Sequence, residues 1–74
     1  MESDSKRIVY VMKESGWVKV DSLLDVKKGD VFKLQESDNG ELVKYKDSSY
    51  LLAESDGFLN NKGLGTIKAD AYFK

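Results

Sequence analysis

Seventy-four residues give room for one domain, with twelve basic and thirteen acidic side chains and a formal net charge of −1. Cysteine and histidine are absent, which removes disulfides and the usual zinc sites. The charges are interspersed along the chain, which argues against bulk electrostatic binding to nucleic acid. At this size folding buries only roughly 60% of the surface the unfolded chain exposes, so self-association into a homodimer or larger homo-oligomer is the remaining way to supplement the core.

Residues 1–5 are polar and terminal and read as a disordered lead-in to a single small β domain over residues 6–74. The start MESDSKR lacks the apolar stretch of a secretory signal, and no apolar run is long enough to cross a membrane, so the expected location is the cytoplasm. Residues 7–12 (RIVYVM) are rich in β-branched and aromatic side chains and, with residues 17–20 (WVKV), predict a first hairpin. A four-residue loop sets Val11 opposite Val18 and Val9 opposite Val20, and gathers Tyr10, Met12 and Trp17 on the other face beside Lys19, whereas a three-residue loop would pair Met12 with Val18. Residues 21–28 fit either a short helical turn capped by Asp21 or an irregular crossover that carries Leu23, Leu24 and Val26 into the core; the crossover is the preferred reading.

Gly29-Asp30 then turns the chain into a strand over residues 31–36, and Asn39-Gly40 is the strongest hairpin signal in the sequence. A two-residue Asn-Gly loop pairs Leu34 with Tyr45 and Glu36 with Val43, so that Phe32, Leu34, Val43 and Tyr45 share a face. Residues 50–53 (YLLA) predict a further strand whose continuous apolar run hides the buried face. Residues 56–65 read as a glycine and asparagine rich loop, and residues 66–69 as a last strand before the tail at Tyr72 and Phe73. The expected fold is all-β: a small SH3-like barrel or a strongly twisted antiparallel meander of five or six short strands.

Nucleophilic catalysis in its common forms needs a His or Cys that this chain lacks. Asp21 with Asp25, or Glu54 with Asp56, offers paired carboxylates, but turn and surface roles are the preferred reading. The stretches around Asn39-Gly40 and Asn60-Asn61 carry oxygen ligands without the spacing of a calcium loop, and Gly63-Leu64-Gly65-Thr66 lacks the spacing and lysine of a phosphate loop. No enzyme, metal or cofactor is expected. Two surfaces stand out instead. Tyr10, Met12, Trp17 and Lys19 form a candidate protein-binding face, because Trp, Tyr and Met are enriched at protein contacts; the plain alternative is that they close one end of the core or lie under the Tyr72-Phe73 tail. Lys33, Lys44 and Lys46 form a candidate anion-binding face, with Lys33 opposite Lys46 in the Asn-Gly register, against the plain reading of edge protection by lysine.

The succession Trp17-Val18-Lys19-Val20, Leu24, Lys28-Gly29-Asp30-Val31-Phe32-Lys33-Leu34 and Asn39-Gly40-Glu41-Leu42-Val43 resembles small proteins of bacteriophages and prophages. So does Ala53-Glu54-Ser55-Asp56-Gly57-Phe58-Leu59-Asn60 followed by Gly63 and Thr66-Ile67. The shared positions are turn glycines and core residues, which speak to fold more than activity. The Leu24-x-x-x-Lys28-Gly29-Asp30 corner also resembles one in intein-like Hint domains, whose catalytic Cys or Ser and His have no counterpart here. The phage resemblance implies an accessory protein acting inside the host cell by binding a bacterial host or defence protein, and it carries over no binding residues. Alternative expectations are an oligomer that sequesters a nucleotide-like anion and a minor structural subunit of a phage particle.

Overall fold

A computed structural model describes residues 2–3 and 7–73, the side chains over 7–73. Eight short strands occur in chain order: β1 (Glu2–Ser3), β2 (Arg7–Lys13), β3 (Gly16–Val20), β4 (Val31–Glu36), β5 (Leu51–Ala53), β6 (Phe58–Leu59), β7 (Gly65–Thr66) and β8 (Ala69–Ala71). They build a five-stranded antiparallel sheet in the order β3-β2-β4-β5-β8 and a small sheet in the order β1-β7-β6. The twisted meander is therefore the architecture. The barrel is not closed among the described residues, since β3 and β8 are opposite edges of the larger sheet. No helix of the described residues is long and apolar enough to cross a membrane.

The count among the described residues exceeds five or six because β1 and β6 fall where the sequence predicts no strand and one predicted strand divides, although the segment after Asn39-Gly40 makes only isolated bridges. The predicted loop 56–65 contains β6, and the predicted strand 66–69 splits into β7 and β8, one in each sheet. Ile67 sits at the change of sheets and is fully buried, so the chain crosses from one layer to the other by inserting an apolar side chain between them. Within the predicted lead-in, Glu2 and Ser3 pair with Thr66 and Gly65. A ladder uses only backbone N–H and C=O groups, so polar side chains are no obstacle. The rest of that lead-in lies outside the described residues.

The first hairpin has the predicted register, with Val9 opposite Val20, Val11 opposite Val18 and Met12 opposite Trp17, and the ladder continues to Lys13 opposite Gly16. The preferred irregular crossover is corrected: residues 23–25 form the alternative, a short helical turn of 3-10 type (Leu23–Asp25), capped by Ser22 and not by Asp21. The Leu24 N–H donates to Ser22 Oγ at 3.1 Å, and the Ser22 N–H donates to Asp25 Oδ2 at 3.3 Å, a reciprocal capping box. With three residues per turn, Leu23 and Val26 fall on one side and are fully buried, whereas Leu24 is turned out at 37% exposure.

The Asn-Gly hairpin departs from expectation. Gln35 bridges Leu42, the Glu36 N–H donates to Glu41 O, and the Val43 N–H donates to Leu34 O, so the loop is four residues long and the pairing is shifted by two. A shift of two keeps every side chain on its face, and Val43, partly buried, still packs against the core cluster. Tyr45, carried two residues beyond the expected pairing, is exposed. The chain then reverses at Lys46 and Asp47, both with positive φ (50° and 66°), inside mutual backbone bonds between Tyr45 and Ser48. That is the signature of a two-residue primed turn.

Val9, Val11, Leu23, Val26, Phe32, Leu34, Leu51, Ala53 and Ile67 make the core. Gly57 closes it from the side of the 3-10 turn: its N–H donates to Val26 O at 2.9 Å, and a Cβ there would run into the Leu23 carbonyl and stand 2.9 Å from Leu24 Cα. These obstacles are backbone atoms, which cannot swing aside. Gly57→Ala should therefore destabilise the fold by about 3 kcal/mol, read from the urea midpoint, whereas Gly65→Ala, whose Cβ would meet its nearest neighbour at 3.8 Å, should cost much less.

Candidate functional site

Strict alternation along the large sheet decides what lines its outer side. Val9, Val11, Phe32, Leu34, Leu51 and Ala53 point into the core, so their neighbours Tyr10, Met12, Val31, Lys33 and Leu52 point the other way. Cross-strand pairing then sets the neighbours: Trp17 stands opposite Met12, and Lys19 and Lys33 flank Tyr10 from the two adjoining strands. Tyr50 and Tyr72 join from the far side, where the Tyr72 N–H donates to Tyr50 O at 2.9 Å. The result is an aromatic face with no second layer of structure over it among the described residues, and its large side chains are half-buried through contact with one another.

Within this face Trp17 and Tyr50 stack, with ring centroids 5.6 Å apart and planes 9° from parallel. Such a pair contributes about 1 kcal/mol beyond the area it covers. Lys33 Nζ lies 4.4 Å from the centroid of the Trp17 ring and 5.5 Å from that of Tyr10, both within cation–π range. The Tyr10 hydroxyl donates to Gln35 Oε1 at 3.3 Å, and Gln35 Nε2 donates to the Gly40 carbonyl at 2.9 Å. Met12, Trp17, Val31, Tyr50 and Tyr72 line an apolar pocket of about 100 Å³.

The candidate protein-binding residues Tyr10, Met12 and Trp17 are thus brought together, with Lys19 exposed beside Tyr10. The lysine set is not assembled as expected. Lys33 belongs to the aromatic face, Lys46 forms an ion pair with Asp70 at 3.0 Å, and Lys44 is exposed. The register placing Lys33 opposite Lys46 does not occur, because the pairing is displaced by two and the chain turns back at Lys46. Of the carboxylates weighed as catalytic pairs, Asp25 and Asp56 serve the backbone: Asp25 caps Ser22, and Asp56 Oδ1 accepts the Lys28 N–H at 2.8 Å. Asn39 Oδ1 accepts the Glu41 N–H, and Asn60 Oδ1 accepts the Lys62 and Leu64 N–H groups.

Sequence reasoning missed Val31, Tyr50 and Ser48, and treated Tyr72 only as a cover. Ser48 is the buried polar residue of the described chain, 6% exposed. Its hydroxyl lies 2.6 Å from the Tyr72 carbonyl, to which it donates, and accepts the Tyr50 N–H at 3.1 Å, fastening the two tyrosines of the pocket to one point. No protein-family model matches the chain, and neither does any curated protein or solved structure. The resemblance to phage proteins therefore rests on the sequence motifs alone.

Removing the Ser48 hydroxyl leaves a carbonyl and an N–H short of a partner. Ser48→Ala should cost about 1–2 kcal/mol in urea unfolding and shift the emission of Trp17, the single tryptophan. The Lys46–Asp70 pair has a pH signature. The Lys46 hydrogen bond, the Ala71 N–H and the Lys46 charge together hold the Asp70 carboxyl below its ordinary value, and the Asp70 hydrogen bond and charge raise Lys46. Because the Asp70 pKa is lowered on folding, its contribution is complete above the ordinary carboxylate pKa and disappears as pH falls through the lowered one. In Lys46→Met the Asp70 carboxyl, followed by NMR titration, should move up while staying depressed by the Ala71 N–H.

Proposed function

We propose that this chain is a non-enzymatic interaction module that binds a partner protein through the outer aromatic face of its five-stranded sheet. The observation that carries this reading is the pocket between Met12, Trp17, Val31, Tyr50 and Tyr72. Aromatic and methionine side chains at the centre of a patch, with polar residues around it, are the composition of protein contacts. Within this reading the partner is a bacterial protein, as the resemblance to phage-encoded proteins implies.

Size separates this reading from sequestration of a nucleotide-like ligand. Pockets for such molecules run to roughly 300–1,000 Å³, and this one is about 100 Å³. Charge points the same way, since one of the three lysines invoked for an anion is neutralised by Asp70.

The test is capture of bacterial proteins on the immobilised chain, quantified by mass spectrometry. Trp17→Ala costs about 2 kcal/mol through lost stacking and packing, so Tyr72→Ser serves as a companion and each variant is checked for folding by circular dichroism. Both should lower the captured partner at least tenfold, while Lys68→Glu, an exposed position between β7 and β8, should leave it unchanged. Undiminished capture by folded Trp17→Ala and Tyr72→Ser protein would show that the interface lies elsewhere.

A further inference from the structure

We infer that the pocket takes the aliphatic anchor residue of an acidic linear segment of the partner, with a carboxylate next to the anchor received by Lys33. The inference rests on the proposed function and deepens it by naming the chemistry of the partner.

Volume fixes the anchor. A closed cavity of roughly 150 Å³ accommodates benzene, so a pocket of about 100 Å³ matches a branched aliphatic side chain more closely than an indole or a phenol ring. Its lining of thioether, aliphatic and ring carbon offers dispersion contact on several sides.

Charge fixes what lies beside the anchor. Lys33 is held against the ring of Trp17, itself a wall of the pocket, and makes no ion pair with the described residues. Lys19, exposed on the neighbouring strand, adds a second unpaired cation. The carboxylate of Asp70, on the same side of the sheet, is occupied by Lys46, and the Arg7–Glu36 pair belongs to the opposite alternation. Lys33 therefore presents a positive charge beside the pocket that no carboxylate of the described residues offsets by an ion pair, although the chain as a whole carries −1. Lys33 Nζ is 4.4 Å from the Trp17 ring centroid, and successive Cα atoms are about 3.8 Å apart, so the matching carboxylate falls within about two residues of the anchor. Because two rings already hold Lys33, little side-chain freedom remains to be lost when the carboxylate arrives.

A nucleic acid fits less well. Base stacking needs a vacant ring face, whereas Trp17 already stacks on Tyr50 and carries Lys33. Two lysines also supply far fewer phosphate contacts than the roughly 6–10 of established binders.

The probe is a fluorescein-labelled nine-residue peptide of glycine and serine carrying one leucine flanked by aspartates, followed by anisotropy and by Trp17 emission. Binding to the wild-type protein should move both signals. Changing the leucine to alanine should weaken it about tenfold, and changing the aspartates to asparagine should weaken it several-fold. That second difference should vanish in Lys33→Gln, and Lys33→Glu should prefer a peptide with lysines in place of the aspartates. The inference is overturned if the acidic peptide does not bind, if the asparagine peptide binds the wild type equally, or if a nine-nucleotide single-stranded DNA binds more tightly. Partner capture that is lost in Tyr72→Ser, alongside a peptide that does not bind, would remove the acidic anchor and leave the interaction face standing. Peptide binding that Trp17→Ala and Tyr72→Ser both leave intact would remove the face as well.

Discussion

The alternation of β4 is the constraint on which both sides of the sheet depend. Phe32 and Leu34 are fully buried, and burying side chains of that size stabilises a fold by about 2 kcal/mol each, so in a core of nine residues the strand cannot slip by one. Once those two are fixed inward, Val31, Lys33 and Gln35 have no choice but the outer face. β4 also pairs with β2 along five positions and with β5 along two. The aromatic residues of the flanking elements are thus aligned on the row that Lys33 and Val31 define.

Lys33 shows how that row changes the meaning of a residue. On an exposed strand a lysine is ordinary edge protection, but β4 is interior to the sheet and Lys33 is only half-exposed. Its stem packs where water is partly excluded, and its charge rests over two ring faces instead of a carboxylate. A cation–π contact of this kind contributes about 0.5–1 kcal/mol, enough to hold a side chain in place without cancelling its charge. Lys46 is the contrast: its ion pair with Asp70 leaves no net charge to offer a ligand.

How much of this was legible follows from which signals are local. The first hairpin was legible as two registers, and the one that forms is the one that sets Val9 and Val11 opposite Val20 and Val18 and assembles Tyr10, Met12 and Trp17. The Asn-Gly turn misled because Asn39 is spent on capping the Glu41 N–H inside a longer loop, while the true two-residue reversal uses Lys46-Asp47, residues with no special preference for positive φ beyond the tolerance of Asp. Tyr50 was hidden by the apolar run that follows it. The Trp17–Tyr50 stack and the bond from Ser48 to the Tyr72 carbonyl join segments 33 and 24 residues apart, and no local pattern reports contacts of that span.

In the proposed reading the outer face is at once part of the fold and the interaction surface, and that sets how its residues divide. The exposed apolar side chains Leu24, Phe58 and Leu59 lie on elements that do not line the pocket. Trp17, Tyr50 and Tyr72 support one another and also line it, so truncating any of them changes stability and recognition together. Lys33 and Lys19 are different in kind. Neither is buried, and replacing either leaves no unsatisfied polar group in the core, so their charge can be removed or reversed with little effect on folding. In a chain of this size, with few residues to spare for either task, on the proposed reading the apolar members of the face hold the pocket in shape and the cationic members decide what enters it.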